Sequence, residues 1–170
     1  MMYESKRLIL KHPDFSDWAA MLHNVWRHEE TARYMLWSVT TNEADAQERM
    51  RRSIAFQEGK PAWFVYEKSS GQPIGFAGFC EIEEGVFEDT GIAVGPAFVG
   101  KGLGKEILNL LTRIAKEEYG AIRFVASCRS KNEASRNMIL GCGFRFTHQE
   151  DRTDPRNGAA YLLEFYEKEL

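Results

Sequence analysis

Between a short apolar run, Gly91-Ile92-Ala93-Val94, and a strongly amphipathic stretch, Lys105 to Tyr119, the chain places Gly100-Lys101-Gly102-Leu103-Gly104. A strand that ends in a glycine-rich turn and restarts as a helix restricts the fold to one in which that turn sits at the end of a sheet. It also exposes main-chain N–H groups there, unobstructed by side chains, at the positive end of the helix dipole. Such a junction binds a pyrophosphate-like anion without needing a metal. Behind it, Ile107, Leu108, Leu111, Ile114 and Ala115 share one face while Glu106, Arg113, Lys116 and Glu117 take the rest, so the helix is expected to be fixed on the sheet. Lys101 and Lys105 are candidates to pair with phosphate, but the amides from Gly100 to Lys105 are the stronger expectation.

Spacing separates the known phosphate loops. A Walker A loop would require Ser or Thr after Gly95 to Lys101, and Gly102 stands there instead, with no hydroxyl for magnesium. In a dinucleotide fingerprint the third glycine comes one residue later, and the loop opens the first βαβ unit rather than lying past mid-chain.

A third pattern is the Arg/Gln-x-x-Gly-x-Gly/Ala loop of GNAT acyltransferases. Val99-Gly100-Lys101-Gly102-Leu103-Gly104 resembles it at all positions but the first, where Val99 replaces Arg or Gln. Downstream, Asn132-Glu133-Ala134-Ser135, a short helix and Gly143-Phe144 resemble the Asn-x-x-Ser and Gly-Phe block of that superfamily, particularly its branch similar to ribosomal-protein N-terminal acetyltransferases (RimJ/RimL-like). Lys6 to Leu10 is similar to that branch's opening strand and Pro73 to Phe79 to its central hairpin strand, so the resemblance covers nearly the whole chain.

The resemblance implies an α/β (α+β) GNAT fold: a mixed, mostly antiparallel sheet of about six or seven strands flanked by about four helices and splayed at the cofactor site. It implies acetyl-coenzyme A as cofactor, with main-chain groups of Ile92, Ala93 and Val94 along the pantetheine, Val99 to Lys105 around the diphosphate, and Asn132 and Ser135 near the thioester. Asn132 equally suits the cap of the helix that follows. It further implies an N-acetyltransferase in which a neutral amine attacks the thioester directly, through a ternary complex, and coenzyme A leaves as thiolate. An α-amine with pKa about 8 is about one-tenth neutral at pH 7, against a few parts in ten thousand for lysine, so an amino-terminal acceptor needs less help from a base.

Asp89, just before Thr90-Gly91-Ile92, is the first candidate base, ahead of Glu88 and Glu81; an exposed turn carboxylate is its competing role. The tyrosine that many relatives use to protonate the leaving thiolate falls at Ile139, which has no proton to give. Ser135 is the remaining candidate acid, and a capping hydroxyl is its alternative. Trp26, Tyr34, Met35, Leu36 and Trp37, with the polar Asp151 to Gly158 segment, are expected to wall the acceptor pocket. The missing tyrosine and the Val99 substitution motivate one rival reading, a non-catalytic acyl-coenzyme A binding or sensing domain. A P-loop nucleotidase ranks behind it.

At 170 residues and 44% hydrophobic, without a long linker, residues 1–170 are expected to form one domain. No apolar run of spanning length and no leader-like amino terminus is present, so a cytoplasmic protein without a membrane partner is expected. Cys80, Cys128 and Cys142 read as reduced core thiols, and His12, His23, His28 and His148 have no metal-ligand spacing. A net charge of −3 gives no general pull toward nucleic acid; a small or peptide amine is the expected partner, and a homodimer is left open.

Overall fold

The computed structural model describes residues 1–170. In chain order it contains β1 (Met2–Glu4), β2 (Leu8–Lys11), α1 (Trp18–Met21), α2 (Glu29–Ala32), α3 (Glu43–Gln57), β3 (Ala62–Glu67), β4 (Pro73–Glu83), β5 (Val86–Val94), α4 (Leu103–Tyr119), β6 (Arg123–Arg129), α5 (Glu133–Gly141), β7 (Arg145–Thr153) and β8 (Ala160–Glu169). The strands form one sheet in the order β1-β2-β3-β4-β5-β6-β8-β7. All neighbours are antiparallel except β5 and β6, which run parallel. No helix is long and apolar enough to cross a membrane.

Both sheet faces are covered, which is why β3 is buried at alternating and intervening positions alike. Trp63 and Val65 join Ile107, Leu108, Leu111 and Phe124 in the core under α4 and α5, while Phe64 and Tyr66 join Met21, Trp26 and Met50 in a smaller core under α1 and α3. Each fully buried Leu or Ile on α4 contributes about 1.5–3 kcal/mol, enough in sum to hold the helix start in one place. Phe79 adds edge-on contacts to Trp63, Phe87, Tyr119 and Phe124 with ring centroids 5.3–5.8 Å apart.

Several expected boundaries move. The opening strand is a hairpin, β1 and β2, whose turn is closed by Ser5 N donating to Leu8 O at 3.0 Å. The first helical segment is capped by Asp14 and passes from a 3-10 turn through α1 into a π turn over Leu22–Trp26. That wider turn leaves Val25 and Trp26 both buried. β4 continues to Glu83 and the chain reverses at Gly85, whose N–H donates to Glu81 Oε1. One further strand, β7, is an edge strand exposed at nearly every residue, and so has no apolar alternation to reveal it. Eight strands and five helices thus stand where about six or seven and about four are expected from the resemblance.

The feature that builds a site is an irregularity in β5. Ala77 pairs with Ile92 and Phe79 with Asp89, so Gly78 faces both Thr90 and Gly91. Gly91 takes φ of 110°, a conformation that side chains resist, and the bulge bends β5. β5 and β6 are paired only from Val86↔Arg123 to Glu88↔Val125. Beyond Glu88 the two strands part.

Candidate active site at the strand fork

The glycine turn sits where its sequence places it. Gly102 caps α4 with φ of 77° and no side-chain hydrogen bond, and the N–H groups of Gly100 through Lys105 find no acceptor within the protein. The cradle is open, and it is held from behind. Arg7 Nη1 donates to Lys101 O at 2.8 Å, and Arg7 Nε pairs with Glu106 Oε2 at 2.7 Å. Glu106 Oε1 also accepts from Ser5 Oγ and Arg7 N. Burial alone would raise the Glu106 pKa, but these hydrogen bonds bring it below the usual carboxylate range. A row of unpaired amides at a helix start fits a diphosphate. Lys101 and Lys105 are exposed; Lys101 lies over the Phe98 ring and Lys105 crosses Gly141 of α5. Val99 is exposed and offers no polar group.

Between the parting strands lies a cavity of about 480 Å³. Ile92, Leu108, Met138 and Ile139 line it from the α4 and α5 side, and Met35, Trp37 and Phe76 from the other. Ile92, Ala93 and Val94 pair with β4 on one edge, at Ala77, Phe76 and Gly75. Their other edge has no strand partner, which leaves main-chain groups facing the opening.

Asp89 closes the inner end. Its Oδ1 accepts from Gly91 N at 3.0 Å and its Oδ2 from Ser127 N at 3.1 Å, so one carboxylate joins the bulge to the diverging strand. Desolvation pushes its pKa up to about 7, against the two N–H groups that favour the ionised form, with Glu88 adding a further raise. The turn-carboxylate alternative does not hold, since Asp89 lies within β5 and lines the cavity. Glu88 also lines it, and its pKa is raised, mainly by burial. Glu81 is exposed and is used to cap the β4–β5 turn.

At the facing wall Asn132 caps α5, its Oδ1 accepting Ser135 N at 3.2 Å, and both residues line the cavity. The Ser135 side chain is near the Cys128 thiol, whose pKa burial pushes up to about 11. Cys128 is therefore a neutral thiol in the wall. Ile139 is 1% exposed and apolar, and nothing substitutes for a tyrosine hydroxyl at that position.

Tyr34, Met35, Leu36 and Trp37 line the same cavity, whereas Trp26 is packed in the smaller core. The Asp151 to Gly158 segment divides between the end of β7 and its turn. That turn carries a device that motif reading misses. Asp154, 1% exposed, pairs with Arg129 at 2.9 Å and Arg156 at 2.8 Å. Arg156 Nη1 then donates to Ala32 O and Trp37 O, and Arg129 Nη2 to Met35 O. Two arginines thereby hold the main chain of the 32–37 wall. Hydrogen bonds from Arg156 keep the Asp154 carboxyl well below its usual range. Tyr161, beneath the Arg129 guanidinium at 3.8 Å, and Arg152 are further lining residues with no motif to mark them.

A family model described as an acetyltransferase (GNAT) domain matches residues 7–145. Among solved structures, the chain is similar to a GNAT-family acetyltransferase from Bacillus anthracis, with 19% identity, a TM-score of 0.85, and coverage of 99% of this chain and 98% of that one. It is similar to the Microcin C7 self-immunity acetyltransferase MccE, solved with acetyl-CoA and AMP, at 21% identity and TM-score 0.82 over 98% and 94% of the two chains. It also resembles the Salmonella typhimurium acetyl transferase that modifies the N-terminal serine of ribosomal protein L7/L12, at 19% identity and TM-score 0.79 over 98% and 96%. No curated protein sequence matches.

Proposed function

This chain belongs to the GNAT family of acetyl-CoA-dependent acetyltransferases, and on that footing we propose that it acetylates a primary amine, a peptide or protein amino terminus or a small amine, by direct attack in a ternary complex. Acetyl-CoA supplies the thioester-activated acetyl group. The main-chain amides of Gly100 to Lys105 hold its diphosphate, without help from the apolar Val99 side chain. The free edge of Ile92 to Val94 orients the pantetheine, and Asn132 contacts it while also capping α5.

The observation that carries the reading is the environment of Asp89. It combines a place at the head of the fork with a pKa pushed up to about 7, the range in which a base accepts and releases a proton near neutral pH. In this role Asp89 takes the proton from the amine, and Ser135 Oγ donates a hydrogen bond to the departing sulfur. Cys128, held neutral, does not compete as a nucleophile. An amino-terminal α-amine supports the lighter demand on such a base, since about one-tenth of it is already neutral at pH 7.

The deciding experiment measures thiol release from acetyl-CoA across a panel of amines and peptides. Acceptor-dependent release is expected. Thermal stabilisation by acetyl-CoA with no turnover on any acceptor would overturn the proposal in favour of a binding or sensing domain.

A further inference from the structure

A second cavity, of about 590 Å³, opens on the other side of Trp37, between α3 and the sheet, and shares Trp37, Phe76 and Thr90 with the fork. Its aromatic lining comes from Trp26, Trp37, Phe56, Trp63, Phe64 and Phe76. Arg49 lies among them. Its guanidinium packs against Trp37 at 4.3 Å and Trp26 at 4.9 Å, and Nη1 donates to Thr40 Oγ1 at 3.0 Å and Ser38 O at 3.3 Å. Nε and Nη2 have no protein acceptor, and no carboxylate pairs with this cation. Burial, with Arg52 nearby, pushes its pKa down to about 10. The acids of the cavity are exposed and engaged elsewhere: Asp45 accepts from Asn42 at 2.7 Å, and Glu48 pairs with Arg51 at 3.4 Å.

Two more polar atoms here are buried without any partner, Trp37 Nε1 and Gln57 Oε1, the latter on a residue only 5% exposed. A half-buried guanidinium with no carboxylate partner and two nitrogens lacking an acceptor, set among the rings of one cavity, is incomplete without an anion. We propose that this cavity holds the body of the acceptor, and that the acceptor carries an anionic group, carboxylate or phosphate, which Arg49 binds while its amine reaches the fork past Thr90. This deepens the function proposed above and rests on it. The guanidinium presents a planar donor fork suited to either oxyanion, and the rings suit a flat or apolar body beside it.

Calorimetry on the coenzyme A-loaded protein tests this with compounds that cannot be acetylated, so the result stands whether or not a given amine turns over. N-acetylphenylalanine is expected to bind about tenfold or more tightly than N-acetylphenylalaninamide, and the phosphate ester of N-acetyltyramine more tightly than N-acetyltyramine itself. Whichever pair shows the larger ratio identifies carboxylate or phosphate as the preferred source. In Arg49→Gln both ratios should fall to about one, and Arg49→Lys, which keeps the charge and loses the fork, should fall between. Equal affinity within both pairs in the unaltered protein, or ratios that survive Arg49→Gln, would overturn the proposal. The neutral amines phenethylamine and tyramine, assayed for thiol release, test the acetyl-transfer reading separately: turnover of these without any preference for anions would leave that reading intact and remove only this one.

Discussion

The carboxylate of Asp89 reaches across the opening between β5 and β6 and accepts the main-chain N–H of Ser127, 3.1 Å from its Oδ2. Its other oxygen accepts Gly91 N, so the side chain satisfies one main-chain donor on each strand where β5 and β6 part. The same group is thus a splint for the fork and the proposed base inside it.

The first prediction concerns catalysis. The pH profile of kcat/KM should rise through an apparent pKa near 7 as Asp89 ionises, and Asp89→Asn should remove that limb and lower kcat by about a hundredfold or more. Acetyl-CoA affinity should change much less. An Asp89→Asn enzyme with full kcat would remove this residue from the mechanism.

A second follows from linkage at the same carboxyl. Its folded pKa of about 7 lies above the unfolded value near 3.9, so between these limits the folded chain holds the extra proton. The contribution of Asp89 to stability should therefore fall as pH rises from about 4 to 7 and level off above. Urea titrations at a series of pH values, compared between the native chain and Asp89→Asn, measure that part of the slope directly.

The third tests the glycine turn. Gly102→Ala forces a side chain into φ of 77° and should cost about 1–2 kcal/mol of stability. Gly102→Asp adds a carboxylate beside the open amides and should weaken acetyl-CoA binding about tenfold or more by calorimetry, beyond the loss in Gly102→Ala. Unchanged affinity in Gly102→Asp would place the diphosphate elsewhere.

The fourth separates the two roles at the start of α5. Ser135→Ala should lower kcat about tenfold with acetyl-CoA affinity nearly unchanged, a modest loss because coenzyme A is already a good leaving group. Asn132→Ala removes the cap and should cost about 1 kcal/mol of stability together with weaker cofactor binding. Steady-state kinetics and thermal melts on the pair distinguish them.

The fifth concerns the clamp on the acceptor wall. Arg156→Ala frees the carbonyls of Ala32 and Trp37 and should raise the acceptor KM about tenfold while acetyl-CoA affinity stays within about twofold. Asp154 has a depressed pKa, so its stabilising pairings are complete above the ordinary carboxylate value and weaken only as pH falls below it. Asp154→Asn should consequently lower the melting temperature at neutral pH and narrow its difference from the native chain in strong acid.

Legibility in the sequence followed how local the cause was. The glycine turn, the Asn132 cap and the apolar face of α4 depend on residues a few positions apart, and each appears in the structure where its pattern lies. The bulge at Thr90-Gly91 depends on Gly78 in another strand, and nothing near Asp89 announces that its carboxylate would reach Ser127. Arg156 and Asp154 read as ordinary turn residues until the fold brings the 32–37 segment against them. Arg49 is masked in the same way by a helix rich in charge, where one guanidinium among several gives no sign of lying between two indoles. β7 left no trace for the opposite reason, since an exposed edge imposes no apolar rhythm on its residues.

Because β5 bends away from β6, one short wall made of Trp37, Phe76 and Thr90 lines both cavities. With acetyl-CoA in the fork and the acceptor in the second cavity, as proposed, each ligand would have its own doorway, and neither would have to leave before the other entered. Initial-rate kinetics should then show no enforced order of binding, with an acetylated product leaving on one side while spent coenzyme A is exchanged on the other.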